Sequence, residues 1–208
     1  MRAPSFIRAL AALLCTLALS ACSPPSVPDV TYFRMPASTP LPHAPKPLSA
    51  LPIEVEVFSA EGIYAEQALI YSTSPDGGAL RTYHYHLWSD PPTRTLQARL
   101  TAALRDSGIS ALVTDRLPAS DQALRIRGRI LRYERVERAE KAFDVQVAFE
   151  MRVEQDSGEP LIEQTYAAQA SAADATMAAT VRAFAAAVDE AFGKFYADLA
   201  RLEGGHAG

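Results

Sequence analysis

Phe143-Asp144-Val145-Gln146-Val147-Ala148-Phe149-Glu150-Met151-Arg152-Val153 decides the fold of this chain. Every second residue is large and apolar and those between are polar or small, so an extended backbone sends the two sets to opposite faces. That is a strand with one buried side and one wet side. Upstream, Leu124, Ile126 and Ile130 keep the same period, and downstream Pro160 to Ala170 reads as a further strand. The three form an antiparallel meander. Their shared apolar face needs a cover, and the chain supplies one from about Asp174 to Arg201. There Met177, Val181, Phe184, Val188, Phe192, Phe195, Leu199 and Leu202 step by three or four through an alanine-rich helix.

The segment before the meander follows the same plan. Val30 to Met35 is β-branched and aromatic and predicts a first strand; Ile53, Val55 and Val57 alternate with Glu54 and Glu56 and predict a second. Gln67 to Thr73 and Ala79 to Leu87 flank Ser74-Pro75-Asp76-Gly77-Gly78, the chemistry of a hairpin turn. Asp90-Pro91-Pro92-Thr93 opens a helix with Asp90 expected as its N-cap. Leu96, Leu100, Ala103 and Leu104 give that helix one apolar face, and Gly108 is placed to end it. Ile109 to Thr114 reads as a short strand and Asp115 to Asp121 as a loop. The expected fold is α+β: two layers, a mainly antiparallel sheet with two amphipathic helices packed on one face.

Before this domain the composition changes. Nine of the fifteen prolines lie between Pro24 and Pro52, so most of that stretch is read as tether and stiffened loop. The very start has another character. Arg2 and Arg8 precede an apolar run from Ala9 to Ala21, too short to span a bilayer, and Leu19-Ser20-Ala21-Cys22 has the form of a lipobox. The organisation read from these features is a lipoprotein signal peptide at 1–21, a lipidated tether at 22–29, one domain at 30–203 and a frayed tail at 204–208. Cys22 then carries the anchor; the alternative is an ordinary secretory signal that leaves Cys22 as a free thiol. A diacylglyceryl group with an added acyl chain such as palmitate holds firmly, since each buried methylene contributes about 0.8 kcal/mol. Cys15 departs with the signal, so no disulfide is available to the mature chain.

Losing Arg2 and Arg8 takes the formal charge from −4 to −6. An acidic domain of this kind excludes nucleic acid as a natural partner. The 187 residues after the signal are one domain's worth and can bury a core without staples.

Tyr83-His84-Tyr85-His86-Leu87-Trp88-Ser89-Asp90-Pro91-Pro92, a tyrosine-containing strand running through tryptophan, acid and proline into a helix, resembles the signature of the ABC-type transport auxiliary lipoproteins, the family of paraquat-inducible protein C. Tyr32 and Phe33 stand where that family has its opening aromatic pair, and the resemblance marks Tyr32, Phe33, Tyr83, Tyr85, Trp88, Asp90 and Pro91 as its structural motif. It implies a fold like the amino-terminal domain of the translocation protein TolB, no catalysis and no cofactor. The implied role is a dock or receiver for an ABC transporter with a mammalian-cell-entry-domain protein, which moves phospholipids or other hydrophobic molecules between the inner and outer membranes. Ser23 after the lipidated cysteine resembles the choice of outer-membrane lipoproteins facing the periplasm. Two other roles stay open: a lipid-carrying shuttle with its own cavity, and a structural lipoprotein for outer-membrane complex assembly. So do the transported molecule, the partner surface and a homo-oligomeric state.

Individual residues add little chemistry. His84 and His86 leave one face of a strand, but no third metal ligand accompanies them, and no metal site is expected. There is no nucleophile elbow, zinc-protease helix, phosphate loop or paired-cysteine motif, so an enzyme is not expected. Arg125, Arg127 and Arg129 line one strand face: either a solvated surface screened by Glu134, Glu137 and Glu140, or a surface for an anionic partner. Gly128 among them signals a bulge or a close backbone approach. Trp88 is expected to plug the core between hairpin and helix, its indole N–H bonded to a backbone carbonyl.

Overall fold

A computed structural model describes residues 27–47, 51–74, 78–118, 121–138, 142–155 and 160–202. Residues 1–21, read above as a signal peptide, Cys22, the expected hairpin turn at 75–77, Glu140, His206 and the expected tail at 204–208 lie outside the described residues. The elements are β1 (Thr31–Phe33), β2 (Ile53–Val55), β3 (Ser59–Ala60), a 3-10 turn at Gly62–Ala65, β4 (Ala68–Ser72), β5 (Leu80–Trp88), α1 (Pro92–Ser107), β6 (Val113–Thr114), β7 (Leu124–Glu137), β8 (Phe143–Glu154), β9 (Pro160–Ser171) and α2 (Met177–Arg201). The fold is α+β, and its sheet is mixed.

β7 is the spine of the sheet. Along one side β8 pairs with it antiparallel, from Arg125↔Glu154 to Glu137↔Phe143, and β9 continues the meander beyond β8. Along the other side β2, β3 and β4 follow one another, each parallel to β7, at Ile53↔Leu124, Ser59↔Arg129 and Tyr71↔Arg135. The β4–β5 hairpin is antiparallel, β1 adds parallel to β5, and β6 adds parallel to β2. The long ladders are antiparallel and the short ones parallel. A two-residue period reports which face a side chain takes and is silent about strand direction, so the parallel pairings were not readable from alternation.

Both helices cover one face. Leu96, Leu100 and Leu104 of α1 join Phe184, Val188, Phe192 and Phe195 of α2 in one core with Ile126, Phe149 and Met151 of the sheet. The α2 stripe does what its spacing predicts, and Thr176 caps the helix by accepting from the Ala179 amide. Gly108 ends α1 in the left-handed region at φ 70°, as predicted. The start of α1 departs from expectation. Its N-cap is Pro91, with no side-chain cap, while the Asp90 carboxylate accepts from its neighbour Ser89. A proline pair already sets the backbone for the first turn, so the acid is not needed there.

The proline-rich stretch after β1 is a strap over both helices. Arg99 donates to the Pro36 carbonyl, the Thr39 amide to Asp189, Tyr196 to the Pro42 carbonyl, and the Ala44 amide to the Ser107 carbonyl. No helix among the described residues is long and apolar enough to cross a membrane.

Candidate functional site

The motif residues meet where β1, β5 and α1 converge. Parallel pairing sets Phe33 beside Trp88, and the Ser89 amide donates to the Phe33 carbonyl at 2.8 Å. Gln67 holds the exit of β5, its amide nitrogen donating to the carbonyls of Trp88 at 2.7 Å and Ser89 at 3.0 Å. Pro91 and Pro92 then turn the chain into α1. Trp88 is 3 % exposed and packs edge-on to Phe184 at 5.1 Å and tilted on Tyr133 at 5.8 Å. Its indole N–H makes no hydrogen bond among the described residues, so the expected tie to a backbone carbonyl is absent.

Beside Trp88 lies a groove of about 360 Å³, walled by Phe33, Met35, Trp88 and Ala98 and rimmed by Arg34, Asp90, Arg94 and Arg99. Arg99 is spoken for by Asp189. Arg34 and Arg94 are exposed and have no ion-pair partner among the described residues. The groove therefore has an apolar floor and a rim with one more free cation than its single carboxylate, suited to an acidic group carried on an apolar body.

The remaining motif residues go elsewhere. Tyr32 is 61 % exposed on the edge strand β1 and Tyr85 is exposed on β5, whereas Tyr83 turns toward Tyr71 and Arg135. His84 is exposed, and His86 sits between Phe33 and Tyr83. No cluster of metal-binding side chains occurs among the described residues. Arg125, Arg127 and Arg129 do line one face, but their carboxylate partners among the described residues are Glu54 on β2, Glu56 just beyond it, and Glu154 and Glu150 on β8, none of them the acids expected to screen the stripe. Hydrogen bonds to Glu56 and Glu150 raise the Arg127 and Arg129 pKa values further, so both stay charged. Gly128 marks a close approach: a Cβ there would overlap the Phe58 ring. Arg34, Arg94 and Arg99 escaped the sequence reading because isolated arginines in a loop and on a helix carry no periodic signal.

The sequence model of the ABC-type transport auxiliary lipoprotein component matches residues 33–193. The chain belongs to that family. The fold agrees: the crystal structure of a protein from Xanthomonas campestris superposes with a TM-score of 0.69 at 19% identity, over 79% of this chain and 92% of that one. A second crystal structure, of an uncharacterized protein, gives a TM-score of 0.58 at 15% identity, over 84% and 98%. At these identities the likeness is one of fold alone. No curated protein is matched by the sequence. The family places the chain among accessory components of ABC-type transport, and the groove lies within the matched span.

Proposed function

We propose that this auxiliary lipoprotein is anchored through Cys22 to the outer membrane, faces the periplasm, and serves as dock or receiver for the mammalian-cell-entry-domain protein of an ABC transporter that moves phospholipids or other hydrophobic molecules between the membranes. It does so without catalysis. The observation that carries the reading is the family match across 33–193. The lipobox at Ser20-Ala21-Cys22 supports the anchor. The filled interface between sheet and helices, where Phe184, Val188 and Phe195 are wholly buried, supports a dock over a shuttle with an internal lipid cavity.

The groove beside Trp88 is the docking surface in this reading. Its partner presents an acidic residue next to an apolar one. The test has two parts. Cys22→Ala should move the exported protein from the membrane to the soluble periplasmic fraction; continued membrane retention contradicts the anchor. Arg34→Glu combined with Arg94→Glu should weaken co-purification with the mammalian-cell-entry-domain protein at least about tenfold, roughly the loss of one good interfacial charge contact. Unchanged co-purification contradicts docking at the groove.

A further inference from the structure

Arg135 is 5 % exposed and has no carboxylate within ion-pair distance among the described residues. Buried charges are ordinarily paired, because desolvation otherwise goes uncompensated. Arg135 donates to the Tyr83 hydroxyl at 2.6 Å and to the Ala175 carbonyl at 2.9 Å, and its guanidinium carbon lies 3.4 Å from the centre of the Phe143 ring. Its Nε–H is buried and has no acceptor among the described residues.

The sheet irregularity explains how it came to be inside. Up to Ile130 the even positions of β7 face the core and Arg125, Arg127 and Arg129 face away. A register shift between Ile130 and Arg132 adds one residue, after which Tyr133 and Arg135 take the core side. Bulges re-aim side chains in this way. Arg135 and Glu137, two residues apart on a strand, then line a pocket of about 130 Å³ walled by Tyr71, Ser72, Tyr83 and Phe143. Glu137 has no hydrogen bond or ion pair among the described residues. A buried guanidinium and a carboxylate with no partner among the described residues thus border one small pocket without touching each other, between aromatic rings.

The geometry points to a binding site for a zwitterion that carries a phosphate and an ammonium a few ångströms apart, phosphoethanolamine being the simplest. The phosphate accepts from Arg135 and from the Tyr83 hydroxyl, whose proton is not committed elsewhere. The ammonium lies against Glu137 and the tyrosine faces. Free phosphoethanolamine and a phospholipid headgroup share this chemistry. The pocket stands on its own geometry, and only its assignment to a lipid headgroup rests on the transport reading.

The test is calorimetric titration of the full-length protein in detergent with O-phosphoethanolamine, inorganic phosphate, ethanolamine and dihexanoyl-phosphatidylethanolamine. O-phosphoethanolamine should bind at one per chain and at least about tenfold more tightly than phosphate or ethanolamine alone. Glu137→Gln should remove that preference while leaving phosphate binding unchanged; Arg135→Lys should weaken both, and an unchanged thermal transition in each variant separates site from fold. Tighter binding of the short-chain lipid than of the free headgroup assigns the site to lipid, and equal binding assigns it to the free zwitterion. No saturable heat up to about 10 mM O-phosphoethanolamine, or equal affinity in Glu137→Gln, overturns the inference. Headgroup binding without transporter docking would retain this site and defeat the docking reading; docking without headgroup binding would do the reverse.

Discussion

Arg99 of α1 and Asp189 of α2 pair across the helix layer, Nη2 to Oδ1 at 2.7 Å, with side chains only 7% and 14% exposed. The same carboxylate accepts from the Thr39 amide, and the same guanidinium donates to the Pro36 carbonyl, so one ion pair ties both helices to the strap. Removing one partner of a buried pair strands the other. Asp189→Ala should therefore destabilise the fold by about 3–5 kcal/mol in urea denaturation. Arg99→Met with Asp189→Leu should recover much of the loss, and a double variant no better than Asp189→Ala would contradict the account.

Gly128 faces the Phe58 ring, and Phe58 is itself buried against Phe149 and Phe192. Gly128→Ala should cost about 1–3 kcal/mol by overpacking. Phe58→Leu in that background should lose less than Phe58→Leu alone. Strict additivity of the two changes in a double-mutant cycle would argue that they do not meet.

Trp88 contacts Tyr133 and Phe184 from a nearly closed site. Trp88→Ala should lower stability by about 3–5 kcal/mol. The wild-type emission should be blue-shifted, and a red emission maximum with unaltered stability in the variant would speak against the plug.

Asp174 accepts from both the hydroxyl and the amide of Thr176, the cap of α2, and these bonds hold its pKa below the ordinary 3.8. A carboxylate with a lowered folded-state pKa stabilises the fold above its unfolded-state value, and that contribution fades as pH falls through the folded value. The start of α2 should accordingly loosen in acid, below about pH 4. Amide exchange at Ala179 reports it, and Asp174→Asn should flatten the pH dependence. An identical acid profile in that variant would remove Asp174 from the cap.

The groove and the strap show why part of the molecule was hidden. The helix stripe from Val181 to Leu199, the alternation from Val145 to Val153 and the left-handed stop at Gly108 are local regularities, and each appears in the structure where its spacing placed it. Met35 and Ala44, by contrast, are buried by contacts with segments far away in sequence. Proline-rich composition predicted loop and could not predict that the loop lies across two helices.

By itself the sequence determined the faces of β8 and of the two helices, the hairpin and the α+β class, because each rests on residues within a few positions of one another. Tertiary structure alone decided the parallel pairing of β2, β3 and β4 along β7, the carboxylate partner of each arginine in the stripe, and the inward turn of Arg135. Strand order and ion-pair choice depend on which distant segments come together. A single added residue in one strand reverses every face beyond it, a change that no count of apolar spacing foretells.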